Sequence, residues 1–328
     1  MIFTPVLAFW LTAQQPADQG AALFAAWCKS CHGADGRGTP AASTRLEVPP
    51  ADLRECKGST AEPEDRWRAI VARGGAAFGL SLDMPAFGEA ATPAQIAAVV
   101  RYARSLCGEP GWPAGELNFP RPFLVEKAFP EDEVVLTDEG RGQEYIYEHR
   151  LGRRLQLEAS ARTAFDGQPQ AFDGVSGALK YNVWSSLERR ALTSLGLELT
   201  PPVGRQARWE VAPWVAFGVA PADALVLQGQ VAGIWEEAAG MTAMSYRVGV
   251  GRRIGRVVPM LESGWLVPRA GARTMSLYPE LGIQLSRLGH VAASIGAELP
   301  AVGPEPRHPR LIAFVFWDYG DAPLRRGW

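Results

Sequence analysis

The sequence predicts a chain in two parts, a small all-α domain followed by an antiparallel transmembrane β-barrel of about 10–12 strands. Three observations point there. All four cysteines (Cys28, Cys31, Cys56 and Cys107) lie in the first third of the 328 residues. The hydrophobic repeat changes from the helical period to the strand period near Tyr145. Length and a composition of 47% hydrophobic and 21% charged residues suit two folded domains. A formal net charge of −2 and a pI near 6.2 give no bulk attraction to nucleic acid, which is set aside as a partner.

The chain opens MIFTPVLAFWLTAQQPADQG. Ile2 to Leu11 is apolar, and small residues at Thr12 and Ala13 offer a cleavage site, so residues 1–13 read as an export signal peptide. No Lys or Arg precedes the apolar run, which is too short to cross a bilayer as a helix. No later stretch approaches the length of a transmembrane helix.

The all-α domain spans residues 14–108. Asp18 can cap a first helix whose Leu23, Phe24 and Trp27 recur at helical spacing. That helix delivers CKSCH, with Cys28, Cys31 and His32. A redox dithiol would need no histidine and would sit beside a βαβ pattern that is missing. Structural zinc would need a second ligand pair, and Cys56 and Cys107 are too scattered to supply it. The spacing suits haem, because both thiols can reach the vinyl groups while the adjacent imidazole is held below the iron. Further on, SLDMPAFGEA offers Met84 as a soft sixth ligand, with Pro85 stiffening its loop. The last helix, TPAQIAAVVRYARSLC, starts on a Thr92/Gln95 capping box and carries one apolar face that includes Ile96, Val99 and Val100. Tyr102 can pack across Gly20 and Phe24 of the first helix.

Together the Gly20/Phe24 helix, CKSCH, PPADL, DRWRAIVARGG, MPAF and the Tyr102 helix resemble a class I cytochrome c domain, over about a quarter of the chain. The resemblance implies one covalent haem c on Cys28 and Cys31, with His32 as proximal and Met84 as distal iron ligand. It implies one-electron transfer rather than enzymatic bond chemistry, since both axial positions would be filled. Cys56 and Cys107 are left over as an even pair. In an exported protein such a pair is more often a disulfide than two buried thiols. Trp67, Arg66 and Arg68 are candidates to meet the haem propionates.

Residues 109–130 contain GEPGWPAGELNFPRP and read as a Pro/Gly-rich linker, extended and stiff in places. Residues 131–328 carry the strand pattern. RLQLEASARTAF, ALTSLGLELT and HVAASIGAEL alternate apolar with polar residues, and roughly eleven such segments run from Tyr145 to Asp318. Short turns around Gly152, Ser186, Pro221, Gly255 and Gly289 alternate with longer loops around Gly167, Gly204, Ala239, Gly271 and Pro304. Such asymmetry places short turns in the periplasm and requires an extra upward strand near Val134 to Thr137. Charges on the polar face, including Glu148, Lys180 and Glu262, suit a hydrated lumen, and His149 is expected on that face too. His290 and His308 are expected near loops. Tyr145, Trp184, Trp209 and Trp235 near strand ends suit interfacial girdles.

This part is similar to the β-barrels of Gram-negative outer-membrane proteins, and the whole resembles fused cytochrome–barrel proteins. The resemblance implies export, an outer-membrane barrel with the cytochrome domain on the periplasmic side, and redox partner proteins and lipid as partners. Two other functions fit the same residues. One is a soluble periplasmic electron carrier with a β binding domain. The other is a porin-like barrel whose cytochrome acts as a plug or redox sensor.

Overall fold

The computed structural model describes residues 16–40, 46, 48–165, 171–304 and 308–328. The export signal expected at 1–13 lies outside them, as does the loop at Gly167. The N-terminal part contains α1 (Pro16–Trp27), α2 (Lys29–His32), α3 (Cys56–Ala61), α4 (Glu64–Arg73) and α5 (Pro93–Ser105). Short 3₁₀ turns stand at Gly75–Phe78 and Gly115–Leu117.

α5 starts as its sequence predicts. The Gln95 N–H donates to Thr92 Oγ1 at 3.3 Å, and the Thr92 N–H donates to Gln95 Oε1 at 2.9 Å. Pro93 fills the first turn, where its missing N–H has no helical partner to lose. Ile96, Val99, Val100 and Ala103 are buried with Phe24 and Leu53, each large side chain contributing about 1.5–3 kcal/mol on leaving water. α1 meets α5 at Gly20, where a Cβ would collide with the Ala98 carbonyl. Phe24 and Tyr102 pack with ring centroids 5.3 Å apart, so the expected contact across these helices is present. α1 itself begins at Pro16, which places Asp18 inside the first turn and not at the cap. Proline is favoured at that first position. Cys56 and Cys107 form a disulfide with Cα atoms 5.1 Å apart, tying α3 to the end of α5.

Twelve strands follow: β1 (Glu133–Asp138), β2 (Gly142–Leu151), β3 (Leu155–Ala164), β4 (Ala171–Ser186), β5 (Ala191–Thr200), β6 (Glu210–Ala222), β7 (Leu225–Glu236), β8 (Gly240–Arg252), β9 (Val257–Pro268), β10 (Thr274–Gln284), β11 (Val291–Val302) and β12 (Arg310–Asp318). They pair antiparallel in chain order, and β1 also pairs with β12, so the sheet closes on itself. Closure leaves no unpaired edge. The upward strand required near Val134 is β1. An even strand number brings both ends of the barrel to one side, where the turns at 152–154, 187–190 and 223–224 also lie. The opposite end carries the longer connection 201–209, although 237–239 there is short, so the asymmetry is modest.

Alternation along each strand sends apolar residues outward. In β5, Leu195 and Leu197 are 47% and 39% exposed, while Ser194 between the strands' inner faces is fully buried. In β4, Leu179 and Tyr181 face out while Lys180 and Asn182 are buried. One parity expectation fails. Glu148 points inward, so its neighbour His149 must point outward, where its Nδ1 lies 2.8 Å from the Tyr319 hydroxyl. A strand cannot place two successive side chains on one face.

The linker is also not a free connector. Phe119, Val125, Ala128 and Phe129 are all at least 95% buried, because residues 118–132 run inside the barrel. The helical domain docks on the short-turn end. Lys57 Nζ pairs with Asp132 at 2.8 Å and donates to the Arg150 carbonyl. Phe78 packs with Leu288 and Ala322, and the chain beyond β12 is wedged between the 3₁₀ turn and the β10–β11 turn.

Candidate functional site

Local hydrogen bonding gathers three of the predicted site residues into one turn. The N–H of Cys28 donates to the Phe24 carbonyl at 2.9 Å, which ends α1. The N–H groups of Cys31 and His32 both donate back to the Cys28 carbonyl, at 3.1 and 2.9 Å. Gly33 then leaves the helix at φ 75°, a left-handed value that a side chain would strain. Its loop folds back so that the Gly38 N–H reaches the His32 carbonyl at 2.8 Å.

Met84 stands on a separate loop. Its carbonyl accepts the Gly75 N–H at 3.0 Å, and a Cβ on Gly75 would press on the Met84 side chain. The N–H groups of Phe87 and Gly88 donate to Val71 and Ala72 of α4, which holds the far side of that loop. Trp27, immediately before Cys28, stacks on Phe87, three residues after Met84, at 5.4 Å. The stack ties the Cys28–His32 turn to the Met84 loop.

Cys28 and Cys31 are half-buried and unbridged, although Cys56 and Cys107 are joined. Burial, with Cys31 beside it, pushes the Cys28 thiol up to about 11. Burial holds the His32 imidazole below its ordinary value, so the ring stays neutral at pH 7, the form that ligates a metal. Its Nδ1 is shut off from solvent with no hydrogen bond of good geometry, the backbone of Ala51 being its polar neighbour. A half-buried neutral histidine, two free thiols one turn apart and a thioether on the loop tied to them by the Trp27–Phe87 stack form a soft N/S donor set that fits haem c.

The propionate candidates divide. Trp67 packs against the same core as Cys28. Arg66 pairs with Glu62 at 3.1 Å and reaches Gly289 of the barrel, and Arg68 pairs with Glu64. Arg66 therefore serves the contact between the two domains. His290 is fully buried, its Nδ1 2.9 Å from Ser286 Oγ inside the β10–β11 turn, and not at the surface. His308 is exposed. Glu262 lies on the inner face as its strand pattern predicts, but its partner is not legible in the sequence: its carboxylate accepts backbone N–H groups of the linker. A lone acidic residue on an alternating strand carries no signal of such a partner.

A family model described as cytochrome C oxidase, cbb3-type, subunit III matches residues 15–102. No curated protein matches the chain. Among solved structures the chain is similar to an outer-membrane channel from Pseudomonas putida F1, with 11% identity and TM-score 0.47, covering 61% of this chain and 99% of that one. It is similar to the KdgM porin at 9% identity and TM-score 0.44, covering 56% of this chain and 96% of that one. DcaP, an outer-membrane channel of Acinetobacter baumannii, shows 10% identity and TM-score 0.30 over 60% of this chain and 66% of its own. The barrel architecture itself rests on the closed strand pairing. The chain thus fuses a cytochrome c-type domain to a closed barrel of twelve antiparallel strands.

Proposed function

We propose that this protein is an outer-membrane c-type cytochrome, with one haem c attached through Cys28 and Cys31 and ligated by His32 and Met84. It exchanges electrons with redox partner proteins at the periplasmic face. The observation that carries this reading is the Cys28–His32 turn, with unbridged thiols and a neutral imidazole whose Nδ1 is shut off from solvent, in a domain matching a cytochrome family. Bound there, haem supplies a reversible one-electron couple. The chain's own residues supply the rest. Cys28 and Cys31 would anchor the haem, His32 and Met84 would ligate its iron, and Phe24, Val99 and Val100 exclude water from the core of the domain. With both iron ligands supplied by the chain, the domain would serve as an electron carrier rather than a catalyst of bond chemistry.

Two observations support the outer-membrane setting. The barrel wall turns leucines and valines outward and polar side chains inward, as lipid requires. The helical domain joins the short-turn end, which in such barrels faces the periplasm. Haem staining of membrane and soluble fractions tests the setting, and haem recovered without detergent would sink it. Met84→Ala tests the ligand set. The reduced spectrum should change and the midpoint potential fall, whereas an unchanged spectrum removes Met84 from the iron.

A further inference from the structure

We infer that residues 118–132 are a built-in plug, and that the barrel is closed to solutes, anchoring the cytochrome domain without acting as a channel. The inference does not depend on haem.

The interior wall is made to hold this one segment. The N–H groups of Phe123, Leu124 and Val125 all donate to the Glu262 carboxylate of β9, at 2.7, 3.1 and 3.0 Å. The segment's carbonyls are met in turn from other strands. Gln228 on β7 donates to Pro120 at 2.8 Å, Arg247 on β8 to Leu124 at 2.8 Å, and Lys180 on β4 to Lys127 at 2.9 Å. Ser194 on β5 donates to the Ala128 carbonyl, and Gln156 on β3 accepts the Glu131 N–H at 2.6 Å. A segment with no strand neighbours must satisfy its buried backbone through side chains, and here the barrel provides them.

Shape agrees with hydrogen bonding. Three wall glycines face plug side chains, and a Cβ at each would strike one. Gly218 would meet Phe119 at 2.7 Å, Gly264 would meet Leu124 at 2.8 Å and Gly296 would meet Phe123 at 2.6 Å. Glycine weakens a strand interior, so its presence at these contacts marks close approach by another chain segment. A wall serving a water-filled pore would keep its charged groups hydrated. Instead Glu262, Lys180 and Glu148 are each at least 98% buried. The cavity left beneath the helical domain, about 120 Å³, is bounded by Phe119, Pro120 and Arg121 of the plug itself.

Full-length protein reconstituted into planar lipid bilayers tests the inference. It should show no unitary conductance steps, and steps of an open porin would overturn the plug. A second measurement does not rely on silence. Val125→Cys, at a plug site 3% exposed, should react with a membrane-impermeant maleimide many-fold more slowly than Glu188→Cys in an exposed turn. The unsubstituted protein serves as the blank. Equal rates at the two sites in folded, heat-modifiable protein would refute the plug, whatever the haem spectrum shows.

Discussion

The helical domain buries a core of apolar residues, whereas the barrel buries charged and amide side chains beside its apolar ones. In the helical domain Phe24, Val99 and Val100 are inside. In the barrel Glu148, Gln156 and Asn182 are fully buried, while Leu195, Tyr181 and Val248 are about half exposed. The two regions share one chain, yet they distribute polar and apolar residues differently. Water drives apolar groups inward in the first. In the second, apolar side chains cover the outer wall, as a lipid-facing wall requires, and polar groups gather inside around residues 118–132.

Charge substitution is the sharpest way to break this contrast. Val99→Asp should place an unpaired carboxylate in the helical core, cost several kcal/mol and abolish the folded haem domain while the barrel remains heat-modifiable. Leu195→Arg on the outer wall should leave the haem spectrum intact and destabilise the barrel by about 2–4 kcal/mol if that residue sits near the bilayer midplane. Gel mobility before and after heating, read beside the spectrum, separates the outcomes. If both substitutions damaged both regions, the two would not be independent folding units.

A smaller effect should follow from the disulfide, which closes 51 residues of the helical domain. Cys56→Ser with Cys107→Ser should destabilise that domain by about 2–5 kcal/mol and leave barrel mobility unchanged. Thermal loss of the haem-domain signal measures it. A melting curve unmoved by the double substitution would mean that core packing alone holds α3 to α5.

The smallest effect concerns the join. Glu62 of the helical domain and Asp321 beyond β12 hydrogen-bond side chain to side chain, and loss of solvent pushes both carboxyls above their usual range. Arg66 opposes that shift, while Asp318 reinforces it at Glu62. A carboxyl raised in the folded state favours docking most fully below its unfolded pKa. That contribution is lost as pH rises through the raised value. Protease cleavage of the tail should therefore quicken with rising pH, and Asp321→Asn should flatten the profile. A profile equally steep in the variant would place the titration elsewhere.

Much of this was legible beforehand. Period-2 alternation needs only the chain, because successive side chains on a strand must take opposite faces. The alternation of turns and loops points to an added strand near Val134, for about twelve in all, and an even remainder of cysteines favours a Cys56–Cys107 bridge; the structure contains both. Two readings went astray for related reasons. His149 was placed inside by counting polarity and not parity beside Glu148. Residues 109–130 looked like a connector because Pro and Gly mark irregular chain, in solvent or in a lumen alike.

Local patterning thus determined what depends on neighbours along the chain: the CKSCH turn, the Thr92 cap, the outward leucines and a barrel of about 10–12 strands. Only the tertiary structure decided where the linker runs, what Glu262 holds and why Gly218, Gly264 and Gly296 lack side chains. The Glu262 and glycine contacts join residues more than ninety positions apart, such as Phe123 and Glu262, 139 positions apart. A single acidic residue or glycine on a strand looks the same in sequence whether it faces water or a buried backbone. Closure of the barrel around its own chain is what tells them apart.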